Sequence, residues 1–234
     1  MVELIEFLIL GVGVGTFGAL LGLGGGIILV PLFMMFMIVP HGSTFTTVQQ
    51  IVGTSLFVVL CNSLSGTYAY IRQRRFFLRA AVPFALATVP GAFLGGYISE
   101  WFSGPAFSLL FGISLMCLAA VMIIRSNAKK GLKTVEEFDP NGNLNIKLGV
   151  ICSFFVGFLS SILGIGGGII HVPMMTFILG FPAQIAVATS TFALMVSALV
   201  GVGSHAILGH IVWGPAVMIG VGAVVGAQIG AKIS

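Results

Sequence analysis

A chain of 234 residues with 58% hydrophobic and only 7% charged side chains departs from a water-soluble domain, in which about a quarter of residues carry charge. Sixteen Asp, Glu, Lys and Arg residues cannot coat a solvated surface of this size, whereas a bilayer asks for apolar spans of about 20 residues each. Composition therefore excludes a cytosolic enzyme and a secreted disulfide scaffold as starting points. The +4 net charge does not indicate nucleic acid either, because the basic residues fall in two short loops.

The N-terminus carries Glu3 and Glu6 where a cleavable signal needs positive charge, so the first apolar stretch is expected to be retained. Apolar runs follow at about 4–40, 46–71, 78–99 and 104–125, then a polar segment, then runs at about 148–180, 183–208 and 213–233. These seven hydrophobic units predict an all-α polytopic membrane protein. The predicted organisation is a first transmembrane repeat over 1–125, a cytoplasmic linker over 126–146 and a second repeat over 147–234. Within the linker, Asp139-Pro140-Asn141-Gly142-Asn143 imitates part of a calcium loop, but the glycine and the distal glutamate are misplaced.

Arg72, Arg74, Arg75 and Arg79 lie between the second and third runs, and Arg125, Lys129, Lys130, Lys133 and Lys147 flank the linker. The positive-inside rule places both loops in the cytoplasm. It places the N-terminus there too, provided the first run crosses once. The expected location is the inner, cytoplasmic membrane.

The halves overlay on each other. Gly22-Leu23-Gly24-Gly25-Gly26-Ile27-Ile28-Leu29-Val30-Pro31 matches Gly164-Ile165-Gly166-Gly167-Gly168-Ile169-Ile170-His171-Val172-Pro173. Further on, Gln49 falls on Gln184, Gly53-Thr54-Ser55-Leu56-Phe57 on Ala188-Thr189-Ser190-Thr191-Phe192, Gly66 on Gly201, and Pro90 to Gly95 on Val225 to Gly230. An internal duplication is the simplest source of such a match. The fourth run has no counterpart before Ser234, so one last span is expected to be absent from this chain.

An apolar run from Leu4 to Pro40 is nearly twice what one helix needs to span a bilayer. Consecutive glycines weaken a helix by about 1 kcal/mol each relative to alanine, and proline removes a donor. Broken or re-entrant helices are therefore predicted at both Gly-x-Gly-Gly-Gly-x4-Pro motifs. Irregular backbone at membrane depth must face protein or a water-filled cavity. A helix resuming after glycines offers free N–H groups and its positive dipole end, which makes a cradle for an anion. The competing reading is close packing through small residues, which also suits Gly11 and Gly15, Gly91 and Gly95, and Gly222, Gly226 and Gly230 at four-residue spacing.

The candidate substrate-binding residues are Gly24, Gly25, Gly26 and Pro31 with Gln49, Thr54 and Ser55 in the first half. In the second half they are Gly166, Gly167, Gly168, His171 and Pro173 with Thr189 and Ser190. The polar members are neutral donors and acceptors, suited to holding and releasing a weakly basic oxyanion. Helix-to-helix hydrogen bonding is the alternative role for them. No carboxylate lies deep in any run, which disfavours a carboxylate proton relay. His171 is either a proton-linked ligand or a hydrogen-bonded structural histidine. His205 and His210 could share a helical face, but no third metal ligand accompanies them. Cys61, Cys117 and Cys152 show neither metal nor disulfide spacing. No metal, cofactor or catalytic group is expected.

At its two Gly-x-Gly-Gly-Gly-x4-Pro motifs, and through a repeat covering nearly the whole chain, the sequence resembles the TauE/SafE sulfite exporter family. That resemblance implies duplicated four-span units carrying sulfite, sulfonates or related anions, with both Gly-Pro segments in the central substrate region. The expected function is a secondary transporter working by alternating access, with export favoured by an inside-negative potential. An anion channel, or a membrane enzyme acting on a sulfur-containing anion, are the alternatives. The expected partners are a small sulfur-containing anion and the lipid bilayer, with a homodimer left open.

Overall fold

Glycine decides where the first helix stops. In the computed structural model, which describes residues 2–35, 45–73, 75, 77–102, 104–127 and 145–234, helix α1 (Val2–Leu21) ends just before Gly22 and α2 (Gly26–Phe33) begins after Gly25. Gly22, Gly24 and Gly25 hold φ of +70°, +76° and +83°, a region closed to most side chains. The second half repeats this: α6 (Ile146–Leu163) ends before Gly164 and α7 (Gly168–Pro173) starts after Gly167, with positive φ at Gly164, Gly166 and Gly167. Pro31 sits inside α2 and Pro173 at the end of α7, so the glycines make the break and the prolines are carried within the short helices. A π-helical turn, Met174–Ile178, continues from Pro173.

The remaining elements are α3 (Val48–Arg72), α4 (Leu78–Ile98) with a 3-10 turn at Ser99–Trp101, α5 (Gly104–Asn127), α8 (Ala183–Ile207) and α9 (Trp213–Ile233). Among the described residues, the six helices α3, α4, α5, α6, α8 and α9 are long and apolar enough to cross a membrane. Ile5–Leu21 and Gly168–Ile178 form shorter apolar helices. Thus the first predicted run divides into α1 and α2, and the fifth into α6, α7 and the π turn. Most of the linker expected over 126–146, with its calcium-like sequence, lies outside the described residues.

Side-chain contacts fix the helix directions. Gly222, Gly226 and Gly230 on α9 approach the carbonyls of Leu8, Val12 and Thr16 on α1 in ascending order, so these two helices run parallel. Between α3 and α9, Thr54 Oγ1 accepts from the Val212 amide at 3.1 Å, Ser65 Oγ donates to the Val224 carbonyl at 2.8 Å and Gln73 Nε2 to the Ala231 carbonyl at 2.7 Å, again in ascending order. Likewise Gly91 and Gly95 on α4 approach the carbonyls of Phe154 and Phe158 on α6. On α4 and α8, Ala80 and Phe84 share a cluster with Ala186 and Ala193, while Gly96 faces Ser204. The α3–α8 pair runs the other way: Gly53 faces His205, Leu56 faces Gly201, Gly66 faces Thr191 and Tyr70 clusters with Val187. Helices α1, α3 and α9 therefore point one way, and α4, α6 and α8 the other. Close approach at glycine replaces hydrophobic burial as the adhesive, as expected where the solvent is itself apolar.

One expectation is corrected by these directions. The start of α1 lies on the face opposite Arg72, Arg75, Arg79, Lys147 and Lys232, together with the start of α3 and Glu100. It does not share the basic face, as it would had the first run crossed once. Chain entering in α1 turns back at Gly22 to Gly25, and α2 heads toward the start of α3, where Phe33 clusters with Val48 and Ile51.

Helix α5 packs at the periphery through Phe107 and Phe111, which join the cluster of Phe33, Phe45 and Val48. Leu110 and Leu115 are partly buried against it, while Leu109, Met116, Ile123 and Ile124 are exposed, as suits contact with lipid.

Candidate functional site

The two glycine breaks meet at the centre of the molecule, backbone against backbone. A Cβ on Gly26 would strike the Gly164 carbonyl, and one on Gly168 would strike the Gly22 carbonyl. Gly24 and Gly166 both abut Val59 of α3 and Leu194 of α8, with a Gly24 Cβ falling 2.9 Å from Val59 Cγ1 and 2.7 Å from Leu194 Cδ2. All six of these glycines are buried. Only glycine fits here, because no side-chain atom can stand between crossing backbones.

One serine stitches the crossing, and its counterpart lies against it. Ser55 Oγ on α3 donates to the Gly164 carbonyl at 2.9 Å. Its sequence counterpart Ser190 lies 3.2 Å from the position of a Gly22 Cβ, while its hydroxyl donates to the Val187 carbonyl at 3.0 Å. The contact is matched in place, and only Ser55 makes the bond across.

The turns leave donors unused. The Ile28 and Leu29 amides both donate to the Gly25 carbonyl, and Leu23 and Gly24 donate to the Gly18 carbonyl. None of the described hydrogen bonds engages the amides of Gly25, Gly26 and Ile27. In the second break the same holds for Ile165, Gly166, Gly167 and Ile169. These amides sit at the positive ends of α2 and α7.

Side chains outside the candidate substrate-binding set also lie here. Where Gly18 lacks a Cβ, the Gly25 amide nitrogen and Asn62 Nδ2 converge to 2.6 Å and 2.7 Å of that point. Asn62 is 1% exposed and its Oδ1 has no partner. In the second half Ser160 stands at the position matching Gly18, with its Cβ 3.2 Å from where a Gly167 Cβ would fall, and its hydroxyl is buried without a partner. Ser197, which matches Asn62, also has an unpartnered hydroxyl. A buried polar group without a partner costs about 1–3 kcal/mol, and two such groups, on Asn62 and Ser160, lie beside the crossing. The signal available in sequence was a polar residue one turn before the second motif and one on the long helix facing each motif.

Other candidates fall elsewhere. Gln49 is in the first turn of α3, where Nε2 donates to the carbonyls of Ser99 and Phe102 at 3.3 and 3.0 Å. It lines a surface cavity of about 520 Å³ with Thr46, Thr47, Glu100 and Trp101, well down α3 from the crossing. Thr54 is occupied by the Val212 amide, whereas Thr189 is buried with its hydroxyl unpartnered. His171, 1% exposed, pairs Nε2 with Ser153 Oγ at 2.9 Å. Pro31 is half-buried and Pro173 buried. Among the described residues no group of three His, Cys, Asp or Glu could hold a metal ion.

The sulfite exporter TauE/SafE family model matches residues 7–234. A relative named probable membrane transporter protein YunE, from Bacillus subtilis, is 35% identical over 97% of this chain and 86% of its own. A probable membrane transporter protein of Methanocaldococcus jannaschii is 28% identical over 85% of this chain and 70% of its own, and one of Xylella fastidiosa 29% over 94% and 81%. No solved structure matches the chain. With a model match over nearly its whole length and relatives named as transporters, this helical, multi-pass chain is a membrane transporter, not an enzyme, and belongs to the TauE/SafE sulfite exporter family.

Proposed function

We propose that the chain moves sulfite or a small organosulfonate across the cytoplasmic membrane by alternating access, with the anion held at the glycine crossing. The two halves, 1–125 and 147–234, act as an inverted pair rocking about the α3–α8 contact, the arrangement from which secondary transporters build a site at mid-membrane. The basic face is cytoplasmic by the positive-inside rule, so the N-terminus lies outside. Export is the direction an inside-negative potential drives, by about 2.3 kcal/mol per charge per 100 mV.

One observation carries the reading. At Gly18 the Gly25 amide and the Asn62 amide group converge beside the unengaged Gly26 and Ile27 amides, which gives neutral donors and no carboxylate. Such donors hold an oxyanion without a counter-charge to trap it. In the first half these donors pack directly against the Gly18 backbone, whereas in the second Ser160 stands at the matching position.

The test is binding of sulfite, sulfoacetate, taurine, sulfate and chloride to the purified transporter and to Asn62→Asp. A carboxylate facing the anion is expected to weaken sulfite or sulfonate binding at least tenfold, while Asn62→Gln, at the matching charge, loses less. Equal affinity in the wild type and Asn62→Asp contradicts the site. Saturable flux in proteoliposomes supports a transporter, and linear flux a channel.

A further inference from the structure

The ends of α3 and α8 are built alike but carry different chemistry. On α3, Tyr70 Oη donates to the Ala19 carbonyl of α1 at 2.6 Å, and the Arg75 amide closes the turn on the Tyr70 carbonyl at 3.3 Å. On α8, His205 Nε2 pairs with the Ser161 carbonyl of α6 at 3.2 Å, and the His210 amide closes the turn on the His205 carbonyl at 2.8 Å. The offset that lays Gly66 on Gly201 also lays Tyr70 on His205 and Arg75 on His210, and the one that lays Gly22 on Gly164 lays Ala19 on Ser161. The basic face thus ends in a tyrosine and a fixed cation, and the opposite face in two histidines.

Those histidines touch: His205 Nδ1 lies 3.1 Å from His210 Nδ1. A carbonyl only accepts, so His205 carries its hydrogen on Nε2 and presents a lone pair at Nδ1. His210 must then donate its Nδ1–H, which leaves its Nε2 lone pair free. His205 is fully buried and His210 half-buried. The groups facing the pair are the Ser161 carbonyl from α6, the Gly53 backbone from α3, Ser204 on α8 itself, and the Glu100 carboxylate from the turn after α4, which acts on His210. Glu100 is the one charged group among them.

We propose that His205 and His210 form a single-proton binding site at the end of the molecule opposite the basic face. A proton from hydronium adds to His210 Nε2, giving an imidazolium whose Nδ1–H bond to His205 becomes charge-assisted. Its positive charge is balanced by Glu100. A second proton would set two Nδ1–H groups against each other, so the pair accepts one. Once charged, His210 places a cation where the other end carries Arg75. Burial lowers the His210 pKa and Glu100 opposes this. The proton site stands apart from the anion cradle and does not rest on the transport reading.

The chain's two tryptophans, Trp101 beside Glu100 and Trp213 edge-on to Phe57 at 5.5 Å, both report on this end. Tryptophan emission of the full chain in detergent, titrated with acid, is expected to show one single-proton transition. His210→Gln is expected to abolish it, and Glu100→Gln to move it to lower pH by about half a unit, a threefold loss in proton affinity. Tyr70→Phe at the other end leaves it in place. A transition that persists in His210→Gln, is missing from the wild type, or moves upward in Glu100→Gln overturns the proposal. Because His210 is half-buried, its variant keeps the test open even if His205→Gln does not fold, and the readout does not depend on sulfite binding.

Discussion

The hydroxyl of Ser55 on α3 donates a 2.9 Å hydrogen bond to the carbonyl of Gly164, 109 residues away in the second half. That carbonyl is also the atom against which Gly26 packs. One backbone oxygen therefore ties together a spanning helix, the end of α6 and the start of α2. Removal of the hydroxyl in Ser55→Ala leaves a buried carbonyl short of a partner and is expected to cost about 1–3 kcal/mol. Thermal unfolding in detergent should show this loss, with Ser55→Thr retaining more of the stability than Ser55→Ala.

Glycines that look alike in sequence should separate sharply on substitution. A Cβ on Gly15 would lie 2.6 Å from Ala223 Cα, and Gly226 approaches the Val12 carbonyl, whereas Gly13 and Gly203 have nothing within 4 Å. Gly15→Ala and Gly226→Ala are expected to destabilise by about 1–3 kcal/mol through overpacking. Gly13→Ala and Gly203→Ala should be neutral or stabilising by up to about 1 kcal/mol. Thermal midpoints of the four variants, compared in one detergent, check the order.

The glycine breaks were legible in sequence because three consecutive glycines can hardly continue a helix, and their burial followed from the cost of loose backbone in lipid. Helix direction was not legible: apolar length says that a segment can span, never which way it runs or whether it turns back. That is why the N-terminus was assigned to the basic face. Gln49 was grouped with Ser55 from a shared run, yet six residues along α3 place it near the outer surface, bonded to Ser99 and Phe102. Gly18 and Ser160 passed unplaced because their roles depend on which helices cross, and nothing local in the sequence encodes a crossing.

The corrected topology gives its own prediction. In a variant lacking Cys61, Cys117 and Cys152, a cysteine replacing Glu6 should react with a membrane-impermeant maleimide from outside the cell, and one replacing exposed Leu78 only after lysis. The reverse pattern would return the N-terminus to the cytoplasm.

Protonation of His210 should also appear in stability. Burial lowers its pKa from the ordinary 6.5, against the pull of Glu100. Between the lowered and the ordinary value the unfolded chain binds more protons than the native one, so stability rises with pH. The contribution is complete above 6.5 and is lost as pH falls toward the lowered value. Thermal midpoints taken across this range should fall with acid more steeply in the wild type than in His210→Gln.

Main-chain amides at the crossing, rather than charged side chains, are held to carry the anion, and glycine 15N spectra of the reconstituted protein address this directly. Addition of sulfite should move the amide signals of Gly25 and Gly26 and leave peripheral Gly13 and Gly203 unmoved. Saturable sulfite binding with the Gly25 and Gly26 signals unchanged would contradict the account.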